Sequence, residues 1–421
     1  MSHHTVKKGY QDLVERLNKH PQGAPPSKLL FQILEMLFSE KEAELVSSLP
    51  IKPFTVKQAA RVWKMKEAEA QKILDELASR AILVDLCFED RTLYALPPPM
   101  AGFFEFSMMR IRDDIDQKAL GELYYQYMNQ EEDFIRDLMN NGETQLGRIF
   151  VNEQALSTEN AMHILDYERA SEVIKTASHI GVGMCYCRHK MQHVGKACDA
   201  PMDICTTFNT SAAALIRHGF ARQIDVSEAM DLLDQAQSHN LVQFGSNVRN
   251  EVNFICHCCG CCCEALIATR KFAIEDSFFT SNYIPRVDEH ACVGCGKCAK
   301  VCPVDAMVLE TTKDKSKAKL HEGLCLGCGV CVRVCPSTCI KLESKEQRVV
   351  TPVNTAHNTI LMAIERGKLQ NLIFDKQAYK SHRLLAAVFK VILKLPPLKQ
   401  MLASKQMKSR YLDKLLSGYQ V

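Results

Sequence analysis

Apolar side chains recur along this chain with two periods, and each run predicts an element. Ser27–Glu40 (SKLLFQILEMLFSE) repeats at helical spacing. Thr55–Trp63 and Lys66–Arg80 read as two helices across a short turn, and Ile82–Leu96 alternates as a hairpin folded about Glu89 and Asp90. Pro97, Pro98 and Pro99 close that unit, because proline fixes φ and removes a backbone donor. Asp113–Met139 has a helical pattern rich in charge. Asp225, with Glu228 three residues on, opens a further helix that carries Ala229, Met230, Leu232, Leu233 and Ala236 on one face. Helical and alternating segments both occur, so the fold class expected is α+β.

A chain of 421 residues is too long for one small domain, and roughly two to four are expected. Residues 1–100 combine a helix, a helix–turn–helix and a hairpin, and so resemble a winged helix. A helical connector follows over 101–154, then a mainly helical, cysteine-rich metal-binding domain over 155–274. A compact cysteine-repeat domain occupies 283–342, and 343–421 forms a C-terminal region with a basic tail.

Composition changes this picture in two places. Hydrophobic content of 47% with 24% charge is ordinary for a core-forming protein, but the net charge of +3 is unevenly spread. From Lys380 to Val421 nine Lys and Arg face a single acid, Asp413, for a balance of +8, so the remaining 379 residues sum to −5. Within that tail, His382–Leu395 (HRLLAAVFKVILKL) is strongly apolar around Arg383, Lys390 and Lys394, and Lys399, Lys405, Lys408 and Arg410 follow Pro396 and Pro397. Two readings fit: a basic amphipathic helix on an anionic membrane face, or a helix packed on the body with its basic side in water. No run of 18 uncharged apolar residues is present.

Cysteine is the second departure. Nineteen of the twenty cysteines lie between Cys185 and Cys339, in runs too tight for pairwise bridging. The first twenty residues lack an apolar leader segment. Both features lead to the expectation of metal ligation in a reducing, cytoplasmic setting, with at most peripheral contact at the inner membrane face. Cys87, alone on the predicted hairpin, is expected to pack in a core.

One internal repeat dominates. Cys292–Met307 (CVGCGKCAKVCPVDAM) and Cys325–Ile340 (CLGCGVCVRVCPSTCI) are offset by 33 residues and agree at eight of sixteen positions. Each is C-x2-C-x2-C-x3-C-P, in which three thiolates wrap one cluster while the fourth reaches the other. Cys292, Cys295, Cys298 and Cys335 are therefore expected to hold one [4Fe–4S] cluster, and Cys325, Cys328, Cys331 and Cys302 the second. Gly294, Gly296, Gly327 and Gly329 let backbone N–H groups approach the sulfides, and Pro303 and Pro336 turn the chain away. Cys339 aligns with Ala306 and reads as a buried thiol in an alanine-sized slot. These motifs resemble the two-cluster bacterial ferredoxins, which implies a pseudo-twofold fold and low-potential electron transfer. TTKDKSKAK, between Cys302 and Cys325, reads as a lengthened surface turn.

Upstream, MCYCRHKMQHVGKACDAPMDIC brings Cys185, Cys187, Cys198 and Cys205 within 21 residues, enough for one four-coordinate site. FICHCCGCCCEAL adds Cys256, Cys258, Cys259, Cys261, Cys262 and Cys263. Successive residues of an extended chain face opposite ways, so three or four of these are expected to ligate, with Cys256, Cys258, Cys259 and Cys262 the set chosen. His189, His193 and His257 are read as donors behind the ligands. The region from Cys185 to Cys263, with Asn240, Leu241, Val242 and Asn247, resembles a family of multi-cluster ferredoxin-like proteins, which implies one or two further iron–sulfur clusters. A structural zinc site, and the CCG module of heterodisulfide-reductase-type enzymes, are the alternatives.

The leading functional expectation is an electron-transfer protein or redox-complex subunit serving a partner oxidoreductase. The alternatives are an oxidoreductase with a substrate-binding upstream cluster and a redox-sensing regulator. There is no G-x-G-x-x-G and no P-loop. The would-be recognition helix sets Lys66, Lys72 and Arg80 against Glu67, Glu69, Asp75 and Glu76, a poor match to phosphates that argues against nucleic acid.

Overall fold

A computed structural model describes residues 7–139, 143–157, 164–271, 279–311 and 315–375, together with residue 387. It combines helix and strand in two units: Met1–Thr144 with Ala214–Phe220 and Asn354–Val421, and Gln145–Ala213 with Ala221–Val353. The basic tail Lys380–Val421, including His382–Leu395, lies outside the described residues apart from residue 387. Among the described residues no helix is long and apolar enough to cross a membrane.

In the first unit the run over 27–40 is two helices rather than one. Lys28–Leu37 ends at an extended Phe38, and Ser39 then caps Glu40–Ser47 in a reciprocal box with Glu42. Thr55 and Gln58 make a second box at the head of Val56–Trp63, and a left-handed Lys64 turns the chain into Glu67–Ser79. Strands β1 (Val84–Cys87) and β2 (Thr92–Ala95) pair as an antiparallel hairpin, and Phe54 bridges to Tyr94 beside it. Cys87 corrects its expectation: it is exposed, at the last position of β1, opposite Thr92 where the hairpin turns. The run over 113–139 is interrupted, with helices Gln117–Tyr124 and Asp133–Met139 separated by a wider π-type turn over Tyr125–Gln130.

The second unit is built on a six-stranded antiparallel sheet, which the reading of a mainly helical cysteine-rich body does not include. Its strands are β3 (Gly147–Phe150), β4 (Ile180–Met184), β5 (Asp203–Phe208), β6 (Arg222–Gln223), β7 (Val242–Ser246) and β8 (Phe254–Cys258), in the order β3-β7-β8-β5-β4-β6. Helical pattern was conspicuous because two amphipathic helices, Ala170–Thr176 and Val226–Ser238, cover one face. There Val173, Ile174, Ala229 and Leu233 pack on Ile180, Val182, Phe208 and Ile255. Beneath them β4 and β5 are short and carry glycine, cysteine and threonine on their other face, which hides the period of two. Asp225 caps Val226–Ser238 by accepting from the Glu228 N–H.

That other face organises the cysteines. The alternation that sends Phe208 and Ile255 into the helix-covered core sends Cys205, Cys256 and Cys258 to the opposite side. Gly183 stands across from Cys205, so no side chain fills the space beside it. Two helices flank this face: Tyr186–His193, with Cys185 at its N-cap, and Glu264–Lys271, directly after Cys263. An ion pair between Lys190 and Glu264 ties them together with both side chains almost wholly buried.

After this body come β9 (Tyr283–Val287), β10 (Met307–Thr311), β11 (Ser316–Leu320) and β12 (Ile340–Ser344), paired antiparallel as β9 with β12 and β10 with β11. The lysine-rich segment expected as a turn is in its second half strand β11, anchored where Lys317 donates to the Cys292 carbonyl at 2.6 Å.

Removing one partner of a buried pair leaves an uncompensated charge. Lys190→Met is therefore expected to destabilise the full chain by about 3–5 kcal/mol in urea unfolding, and Lys190→Met with Glu264→Leu should recover most of that loss. Equal losses in the single and double variants would mean the two side chains are not coupled.

Candidate metal centres

The cysteine repeat encloses two cavities. One is lined by Cys292, Cys295, Cys298 and Cys335, with Cys339, Leu309 and Ile340. The other is lined by Cys302, Cys325, Cys328 and Cys331, with Pro285, Val304 and Leu326. Each therefore draws three thiols from one repeat and one from the other, a soft donor set suited to iron–sulfur chemistry. Backbone donors reach the sulfurs, Gly327 N–H to Cys325 Sγ and Met307 N–H to Cys302 Sγ, both at 3.4 Å. Gly294 and Gly327 are positive-φ residues where an added Cβ would lie 2.2 Å from the Ser316 carbonyl and 2.1 Å from the Tyr283 carbonyl, so only glycine fits.

The cavities differ in setting. Cys295 is exposed beside Val293, which is 68% exposed. Around the second cavity, the Cys328 carbonyl accepts from the Asn152 N–H at 3.0 Å and the Gly327 carbonyl from the Ser281 hydroxyl at 2.7 Å. Cys339 and Ala306 occupy matching places, one on each cavity. Cys339 is buried with its Sγ 3.5 Å from Cys335 Sγ. Burial chiefly pushes the Cys339 thiol up to about 11. Burial works in the same direction on Cys335, but hydrogen bonds from Ser337 and Cys339 outweigh it and hold Cys335 below the usual thiol range. Either sulfur can donate in this contact; with Cys335 bound as a thiolate ligand, the proton is the one on Cys339.

Upstream, the thiols are grouped differently from the expected sets. Cys185, Cys187 and Cys205 stay together, but Cys198 leaves them. The first three join Cys256, Cys258 and Cys263 in a ring of neighbouring sulfurs, each electrostatically coupled to the next: Cys185 to Cys187 and Cys205, Cys205 to Cys256, Cys256 to Cys258, and Cys263 to Cys258 and Cys187. Hydrogen bonds from ring neighbours hold Cys185 and Cys263 well below the usual thiol value and bring Cys256 down to about 6. Cys187, chiefly by burial, and Cys205 and Cys258, chiefly by bonding to those acceptors, are pushed well above it.

Arg188 underlies this charge, with its side chain donating to the carbonyls of Pro201 (3.0 Å) and His257 (2.8 Å). Burial lowers its pKa, but the sulfurs of Cys185, Cys259, Cys205 and Cys258 together push it up. His257 faces away from Cys256 and Cys258 by strand alternation, lies 3.5 Å from Gln243, and is lowered to about 4 by burial. His189 and His193 meet each other at 3.1 Å through their Nε2 atoms.

Cys198 lies instead with Cys259, Cys261 and Cys262, all four sulfurs within 4.8 Å of one another. Cys261 and Cys263 were absent from the expected ligands. The signal for Cys263 was available: Cys256 and Cys258 share a strand face, and a second turn of chain is needed to return a sulfur to it. The two upstream groups are separated by single peptide bonds, between Cys258 and Cys259 and between Cys262 and Cys263.

Residues 285–342 match the family model of the 4Fe-4S dicluster domain. No curated protein and no solved structure matches the chain. Residues 285–342 are therefore a [4Fe–4S] ferredoxin-type domain, and with the cysteine-rich cluster upstream they support an iron–sulfur electron-transfer role.

Cys298→Ser should remove about four irons per chain, while Cys339→Ala should keep all of them. Losing the Cys339 S–H donor weakens stabilisation of the more negative, reduced state, so the potential of that centre should fall by on the order of tens of millivolts in protein-film voltammetry. Loss of four irons from Cys339→Ala would make Cys339 a ligand.

Proposed function

We propose that this chain is an iron–sulfur electron-transfer protein, or a subunit of a redox complex, that joins two [4Fe–4S] clusters to a further thiolate-bound iron–sulfur centre. In this reading Cys292, Cys295, Cys298 and Cys335 hold one cluster, and Cys325, Cys328, Cys331 and Cys302 the other. The ring of Cys185, Cys187, Cys205, Cys256, Cys258 and Cys263 holds the upstream centre. Bound at these sulfurs, iron–sulfur clusters supply one-electron oxidation and reduction. Six soft donors, five of them buried, with one underlying guanidinium call for several positive metal centres, which favours a polynuclear group over a single ion.

The observation that carries the reading is the approach of Gly260 to Pro303. An added Cβ on Gly260 would lie 2.2 Å from the Pro303 carbonyl oxygen, so the cysteine-rich turn and the residue after Cys302 touch backbone to backbone. Arg333 reinforces this by donating to Asn240 Oδ1 at 2.7 Å. The dicluster domain thus has an inner end against the cysteine-rich body and an outer end at exposed Cys295 and Val293, suited to a docking redox protein.

The winged-helix-like segment over 1–100 fits a protein partner better than nucleic acid. Arg80 is paired with Glu42, and Asp75 accepts from the Tyr94 hydroxyl at 2.6 Å, which leaves Glu67–Ser79 predominantly acidic.

Anaerobically purified full-length protein should contain about 12 or more irons per chain, against about 8 for the dicluster domain alone. Gly260→Ala should keep the iron content while slowing electron exchange between the upstream centre and the clusters several-fold, read by freeze-quench paramagnetic resonance. An iron content of about 8 would confine electron transfer to the dicluster domain.

A further inference from the structure

Four upstream thiols form a set that the relay reading does not use. Cys198 Sγ lies 3.6 Å from Cys259 Sγ and 3.9 Å from Cys262 Sγ, and Cys261 and Cys262 are 3.7 Å apart. All four sulfurs fall within 4.8 Å of one another. A regular tetrahedron of sulfurs at about 2.3 Å from a central ion has edges of about 3.8 Å, the spacing of a tetrathiolate zinc-type site. The ligands of a cubane each hold a different iron corner and must stand farther apart. The dicluster thiols accordingly line open cavities, whereas these four close on a point.

We infer that Cys198, Cys259, Cys261 and Cys262 bind one tetrahedral thiophilic ion, Zn²⁺ or Fe²⁺, distinct from every iron–sulfur cluster in the chain. All-sulfur donation in this geometry favours these ions over harder cations. The ligands come from two segments. Cys198 follows the helix Tyr186–His193, and the other three stand in the turn between β8 and the helix Glu264–Lys271. An ion there staples residues 61 to 64 positions apart in the chain. It also fixes the turn that carries Gly260 against Pro303, with Cys259 and Cys261 directly flanking that glycine. A zinc ion in this place carries no electrons, so the inference stands or fails separately from the relay.

Metal and acid-labile sulfide analysis of the full-length protein tests it, with Cys261→Ser as the variant because Cys261 is the exposed member of the four. The wild type should hold one zinc or one iron per chain in excess of the sulfide-matched iron. Cys261→Ser should lose that one equivalent and retain the sulfide and remaining iron. Optical spectra separate the two ions, since d10 zinc is colourless and a ferric tetrathiolate absorbs in the visible. Wild-type protein reconstituted with cobalt in place of zinc should show the intense visible bands of a tetrahedral thiolate cobalt site, a readout that does not need the variant to fold. Loss of four irons with four sulfides from Cys261→Ser would overturn the inference in favour of a cubane. Unchanged metal content in the variant, or a wild type without tetrahedral cobalt bands, would overturn it outright.

Discussion

Sulfur that is to be a thiolate is costly to bury unless something positive meets it, and the second unit is arranged around that constraint. In the dicluster domain, backbone N–H groups at tight turns meet the sulfurs, as at Cys325 and Cys302. In the upstream ring the buried Arg188 does so. The surrounding fold follows: small residues beside Cys205, a helix beginning at Cys185 and another after Cys263, and a buried Lys190–Glu264 pair holding those helices together.

Much of the dicluster domain was legible because its information is local. A repeat of 33 residues, with spacing that forces three thiols to one side and one across, carries its own geometry. The helices capped by Thr55 and Asp225 were legible for the same reason, since a cap and its partner lie three residues apart. The break at Phe38 was not. Its cause is Ser39 with Glu42, an equally local signal masked by the continuous apolar period around it.

The upstream grouping was illegible for a different reason. Sequence proximity suggested that Cys198 belongs with Cys185, Cys187 and Cys205. Strand pairing decides otherwise, because β5 lies beside β8 and sets Cys205 next to Cys256, while Cys198 sits before β5 and meets the turn after β8. Register between strands tens of residues apart is a property of the sheet and leaves no mark in the local pattern. The sheet itself was concealed because β4 and β5 are short and offer glycine, cysteine and threonine, not apolar side chains, on the cysteine-bearing face.

The same arrangement bears on how the protein is made. The ligands of the dicluster domain span Cys292 to Cys335 and come from one contiguous stretch of chain, so that domain acquires its donor set as soon as the stretch has left the ribosome. The ring is different: Cys185 and Cys263 are 78 positions apart and meet only once β4, β5, β7 and β8 have found their neighbours. Its donor set is a product of folding, and the entropy of closing that long loop must already have been met before metal enters. Although the segment from Cys185 to Cys263 is synthesised first, its donor set waits on strand pairing, whereas the dicluster ligands wait only on their own contiguous stretch.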